Sequence, residues 1–247
     1  MDITYVQLSV LAACAVLIGF SKTGVPTLGL FVAAIMATVF PARESVGLML
    51  PILIVGDIIA IVYYRRAVVW KHLLTLMPWV LIGLVAGYLV LGRIDNDGLS
   101  TLIGSIVLAL IVLHVFRERL ETSLKFAFSK TRAWSGGLGV LAGFTTMIGN
   151  AAGSIMSIYL LAKRMDKTAF VGTGAFFFFS VNLIKVPFNV HLGLVNTESL
   201  LLNAWMIPAV VIGAFSGFKV LPLIPQKHFQ VIVLVLATLG GLNLILF

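Results

Sequence analysis

Lys22, Asp57 and Lys185 stand inside or beside long apolar runs of this chain. A charge kept in such surroundings is costly, and it usually meets a counter-ion, a substrate or a proton. Lys22 could neutralise an anion, or it could be a helix-end lysine whose ammonium reaches the surface along its own stem. Asp57 could gate a substrate, carry a proton, or pair structurally with Lys22 or Lys185. Asn182 stands 125 positions after Asp57, so a polar group recurs at the matching place in the second half. Lys185 lies close to the end of its run, where snorkelling also accounts for it.

Two stretches surround these charges with small and polar residues: "GFSKTGVPTLG" (Gly19–Gly29) and "GFTTMIGNAAG" (Gly143–Gly153). Unwound backbone survives in a bilayer only when it is buried or lines a cavity. Each stretch is expected to break a helix and to start a new one, at Pro26-Thr27 and at Asn150. Thr and Asn are residues that cap helix N-termini. Such an end carries free N–H groups and partial positive charge, which suits an anion. The candidate binding residues are therefore Lys22, Thr23, Gly24, Pro26, Thr27 and Gly29 from the first stretch. The second contributes Thr145, Thr146, Gly149, Asn150, Gly153 and Ser154. Asp57, Asn182 and Lys185 are candidates for gating or coupling.

The elements that must hold these residues are membrane helices. The chain is 60% hydrophobic and 11% charged, against about 25% charged in soluble domains. Apolar segments run over about 4–20, 28–40, 46–64, 72–91, 99–116, 134–144, 152–162, 169–188, 199–218 and 229–247. The longer ones approach the roughly 20 residues that cross a bilayer. Those at 28–40, 134–144 and 152–162 are short, as half-helices, tilted spans or re-entrant arms would be. The expected fold class is all-α, a polytopic helical membrane protein of one transporter domain.

The net charge of +8 follows the loops rather than a nucleic-acid surface. Basic residues favour the cytoplasmic side. Placing the loop 117–133 there puts 13 of the 17 Lys and Arg residues inside, and leaves Arg43 and Arg93 outside. Both termini then face outward. The halves, about 1–116 and 134–247, repeat each other. The two glycine stretches align at an offset of 124, and "PWVLIGLVAG" (Pro78–Gly87) aligns with "PAVVIGAFSG" (Pro208–Gly217) at 130. The first copy starts outside and the second inside, so the repeats are inverted. Inverted repeats with broken helices place a substrate at the midplane in secondary transporters. Gly83/Gly87 and Gly213/Gly217 have the small-xxx-small spacing that lets helices approach closely.

Other chemistries find little support. The sequence has no Gly-rich Lys-Ser/Thr phosphate loop and no HExxH. One cysteine, Cys14, permits no internal disulfide or cysteine metal cluster. His72, His114, His191 and His228 are scattered over loops and span ends. No cofactor is expected, and no basic n-region marks a cleaved signal peptide. Tyr63, Tyr64, Trp70 and Trp134 are read as interfacial anchors, and "AFFFF" (Ala175–Phe179) as lipid-facing or packing surface.

The strings "GFSKTGVPTLGLF", "LPILIVGDIIAIVYYRRAVVWK", "MIGNAAGSIMSIYLL", "KTAFVGTGAFFFFSVNLIKVPF" and "LGLVN" cover both halves. In these the chain resembles the sulfite exporter TauE/SafE family, also called the toluene sulfonate uptake permease family. "GNAAG" stands where a glycine triplet is common in that family. The resemblance implies a bacterial inner-membrane permease or exporter for sulfite, sulfonates or related organic anions; coupling to a proton or cation would need a titrating group, for which Asp57 is the candidate inside a span. The resemblance places the family's paired Gly-rich motifs on Gly24, Pro26, Gly29, Gly149, Asn150 and Gly153. The expected partners are a small anion and the lipid bilayer. An anion channel is the nearer alternative reading, and a membrane enzyme or assembly factor the more distant one.

Overall fold

The computed structural model describes residues 4–24, 28–123, 132–163, 165 and 167–220. Among these residues all regular structure is helical. The helices are α1 (Tyr5–Thr23), α2 (Leu28–Val39), α3 (Ala42–Tyr64), α4 (Trp70–Leu91) and α5 (Asn96–Ser123), then α6 (Arg132–Gly149), α7 (Gly153–Ala162), α8 (Lys167–His191) and α9 (Thr197–Val220). Five of them, α1, α3, α4, α8 and α9, contain stretches long and apolar enough to cross a bilayer. The expected span at 229–247 lies outside the described residues.

Local chemistry explains where these helices begin, end and bend. Thr4 and Gln7 form a reciprocal capping box at the start of α1. Pro51, Pro78, Pro187 and Pro208 sit inside α3, α4, α8 and α9. Neighbouring helices make such prolines tolerable in a membrane. Arg43 donates from one guanidinium nitrogen to the Leu91 and Ile94 carbonyls, at 2.7 and 3.0 Å. It thereby covers the negative end of α4.

The helices pack in matched pairs. α1 lies parallel to α9, with Gly19 against the Val210 carbonyl and Gly213 against the Val16 carbonyl. α4 lies parallel to α6, with Gly143 against the Val80 carbonyl and Gly83 against the Val140 carbonyl. A Cβ at any of these glycines would collide with the facing carbonyl oxygen. α3 runs antiparallel to α8: Gly47 meets Leu194 at one end, and Gly172 meets the Tyr64 carbonyl at the other. α2 turns back along α1, and Gln7 near the start of α1 donates to the Val39 carbonyl at the end of α2.

Two expectations change here. The polar stretches are helical for most of their length. α1 continues through Thr23 and α6 through Gly149, and the second break narrows to Asn150–Ala152. The reason is satisfaction of the hydroxyls. Thr145 donates to the Leu141 carbonyl at 2.8 Å, and the Thr23 hydroxyl is taken up in the α1–α9 contact, 3.1 Å from the Ala214 carbonyl. A hydroxyl satisfied in this way needs no unwound backbone. The second change concerns 117–133, read as a loop, since α5 runs through Ser123.

Candidate functional site

The end of α1, the start of α2 and the break after α6 border one small cavity, of about 40 Å³. A single water needs roughly 10–15 Å³ measured in this way, so the space holds more than one water-sized group. Its wall includes Lys22 at the end of α1, Gly29 on α2, Thr146 on α6, Asn150 in the second break, Gly153 on α7 and Asn182 on α8. Ser21, Val171, Gly174, Ala175 and Phe178 complete much of the rest.

Around the cavity the charged groups are ordered by direct contacts. Lys22 Nζ lies 2.7 Å from Asp57 Oδ1, and the Asn182 amide donates to Asp57 Oδ2 at 2.7 Å. Asp57 is fully buried and Lys22 is 10% exposed. The structural pairing of Asp57 with Lys22 is thus realised. The aligned positions Asp57 and Asn182 meet directly. The Lys22 ammonium also stands 4.5 Å from the centre of the Phe178 ring, a distance at which a cation is attracted to an aromatic face.

Lys185 does not reach an interface. It is completely buried, and its ammonium donates to Asn150 Oδ1. The same Asn150 amide donates through Nδ2 to the Val46 carbonyl at 3.3 Å. Asn150 therefore bridges a buried cation on α8 to the backbone of α3, and one face of it borders the cavity. Its backbone has φ 56°, a left-handed conformation that Asn adopts more readily than most residues. Its N–H bonds the Thr146 carbonyl at 3.1 Å, which ends α6 in an αL turn. Asn150 was expected to cap the N-terminus of α7. Instead it closes the C-terminus of α6, and α7 begins three residues later.

Other expected residues have different places. The Thr23 hydroxyl points away, donating to the Ala214 carbonyl across the α1–α9 contact at 3.1 Å. Thr145 is tied to its own helix. Gly24 ends α1, and Gly149 packs on Ile103. Pro26, Thr27 and the side chain of Ser154 lie outside the described residues. Phe178 is the residue that sequence reasoning missed. The Phe run was read as lipid-facing or packing surface; Phe177 is fully buried, as packing requires, while Phe178 borders the cavity. Helical spacing from Asn182, one turn later, is the signal that pointed to it.

The charge balance limits what the site can do. Lys22, Lys185 and Asp57 are the charged side chains gathered around it. With all three ionised, two cations face one carboxylate, an arrangement suited to one added negative charge. Among the described residues no group of three His, Cys, Asp or Glu side chains is placed to hold a metal. An apolar helical protein with several membrane spans holds a small cavity lined by Lys22 and by the hydrogen-bonding side chains of Ser21, Thr146, Asn150 and Asn182. These features define a polytopic membrane protein with an internal polar site. The profile described as sulfite exporter TauE/SafE matches residues 11–244, nearly the whole chain. The chain belongs to that family and is a membrane transport protein. Comparisons with curated proteins and with solved structures returned no match.

Proposed function

We propose that the protein is a secondary carrier of a small sulfur-containing anion, such as sulfite or a short sulfonate, in a bacterial inner membrane. The observation that carries this reading is the cavity where Lys22 and the Lys185-bound Asn150 converge. Family membership supplies the sulfur chemistry. Lys22 attracts the anion, and Thr146 and Asn150 give it polar contacts. Asp57 and Asn182 hold Lys22 in place and gate its movement, and Lys185 fixes the Asn150 amide.

The carrier mechanism is alternating access between two inverted-topology halves, about 1–116 and 134–247. The matched packing supports it: Gly19 of α1 packs against α9 as Gly143 of α6 packs against α4, and Asp57 meets its counterpart Asn182. The paired helices exchange partners between halves, so rocking one half against the other would open the cavity to alternate sides.

The test is uptake of labelled sulfite and small sulfonates by reconstituted protein. Charge-assisted hydrogen bonds are worth about 1.5–3 kcal/mol, or roughly ten- to a hundredfold in affinity. Lys22→Ala and Asn150→Leu should each lower uptake by that order. Unchanged flux and affinity in both variants would refute the site.

A further inference from the structure

A second concave surface lies away from the substrate cavity, where α3 and α9 end side by side. It is an open groove of about 650 Å³, bordered by Arg65, Arg66 and Lys219 and by Tyr63, Phe215 and Phe218. The volume falls within the range of small-molecule sites, roughly 300–1,000 Å³. Nothing in the transport reading uses it.

Its two ends differ in chemistry. Arg65, Arg66 and Lys219 are all exposed, and among the described residues no carboxylate borders the groove. The rest is aromatic and aliphatic. Tyr63 stacks on Phe218 with ring centres 4.1 Å apart and planes at 26°, and Phe218 meets Phe215 edge-on at 6.3 Å. Tyr63 is 64% exposed and Phe215 60% exposed, so this aromatic shelf is covered by no other part of the described protein. Both helices are candidate membrane spans, and the groove sits at their ends.

We propose that the groove binds an acidic phospholipid of the surrounding bilayer. Its phosphate rests among Arg65, Arg66 and Lys219, and the upper part of an acyl chain lies on Tyr63, Phe215 and Phe218. The argument is complementarity of both kinds at once. Three cations with no carboxylate beside them among the described residues call for an anion, and guanidinium groups match phosphate geometry. The adjoining aromatic shelf calls for an apolar partner at the same depth. A soluble anion satisfies only the first demand and a zwitterionic lipid meets it weakly. Basic pockets between membrane helices are recognised sites for anionic headgroups. The groove also touches the transport machinery: Tyr64, edge-on to Tyr63 at 4.8 Å, donates to the Thr23 carbonyl at the end of α1 at 3.2 Å.

Native mass spectrometry of the purified full chain tests the assignment. Phosphatidylglycerol and phosphatidylcholine of equal chain length are titrated separately. The acidic lipid should bind at least tenfold more tightly. Each charge removed should weaken it about fivefold, so the triple variant R65Q/R66Q/K219Q should lose most of the preference. The double variant K71Q/R93Q removes exposed basic residues elsewhere and should keep it. If the triple variant does not purify folded, R66Q alone carries the test with its fivefold loss. Equal binding of the two lipids would overturn the proposal, as would full retention by the triple variant or an equal loss in K71Q/R93Q. Displacement of the lipid by glycerol 3-phosphate at lipid-like concentrations would overturn it too, by showing that the acyl chain contributes nothing.

Discussion

Asn150 is the residue on which the site turns. It ends α6 in a left-handed turn, takes a hydrogen bond from a buried ammonium, and borders the cavity with the same amide. Asn150→Asp keeps the shape and adds a carboxylate beside Lys185. The new charge cancels the positive surplus that favours an anion. The variant is expected to fold, because Asp also tolerates the left-handed region and its ion pair with Lys185 offsets the lost Nδ2 hydrogen bond to the Val46 carbonyl. Its affinity for the transported anion should fall about tenfold or more, the effect of losing one charge-assisted contact. Competition of unlabelled anions against labelled uptake measures this, and wild-type affinity would show that Lys185 does not act through Asn150. Lys22 and Asp57 were legible in the sequence because charges are rare in apolar runs. The Lys185–Asn150 contact was not, since 35 residues and a change of helix separate the partners. Phe178 was hidden by its neighbours. In a run of four Phe residues, composition does not say which ring turns toward the cavity.

At the scale of elements, helix contacts are set by glycines that admit a neighbour's backbone. Gly143 faces the Val80 carbonyl on α4 with no room for a side chain. Gly137, two turns earlier on α6, is exposed and has nothing within 4 Å of its would-be Cβ. Gly143→Ala should therefore cost about 1–3 kcal/mol, as overpacking does. Gly137→Ala should be neutral or slightly stabilising through helix propensity. Thermal unfolding of the two purified variants separates them, and equal melting temperatures would contradict the close α4–α6 contact. The helices themselves were nearly all visible as apolar segments, and the small-xxx-small spacing marked Gly83 and Gly213 as contact points. Their partners were not visible, because spacing along one helix does not name the helix that faces it. The breaks were drawn too long for a physical reason. Thr145 and Thr23 look like helix-breaking polarity in sequence, but the Thr145 hydroxyl bonds back to the Leu141 carbonyl one turn earlier and the Thr23 hydroxyl bonds the Ala214 carbonyl of α9.

For the whole molecule, the family match over residues 11–244 establishes a membrane transport protein. The charge pattern, the repeated glycine stretches and the converging cations support an anion carrier that works by exchanging access between halves. A carrier and a channel with the same cavity differ in one respect: only a carrier must complete a cycle with each molecule it moves. The most direct measurement is solute counterflow in proteoliposomes. Vesicles preloaded with an unlabelled small sulfonate are diluted into trace labelled sulfonate. The account predicts a transient accumulation of label above equilibrium, absent from empty vesicles and strongly reduced by Lys22→Ala. Simple equilibration without overshoot, or no movement of any sulfur anion tested, would contradict it.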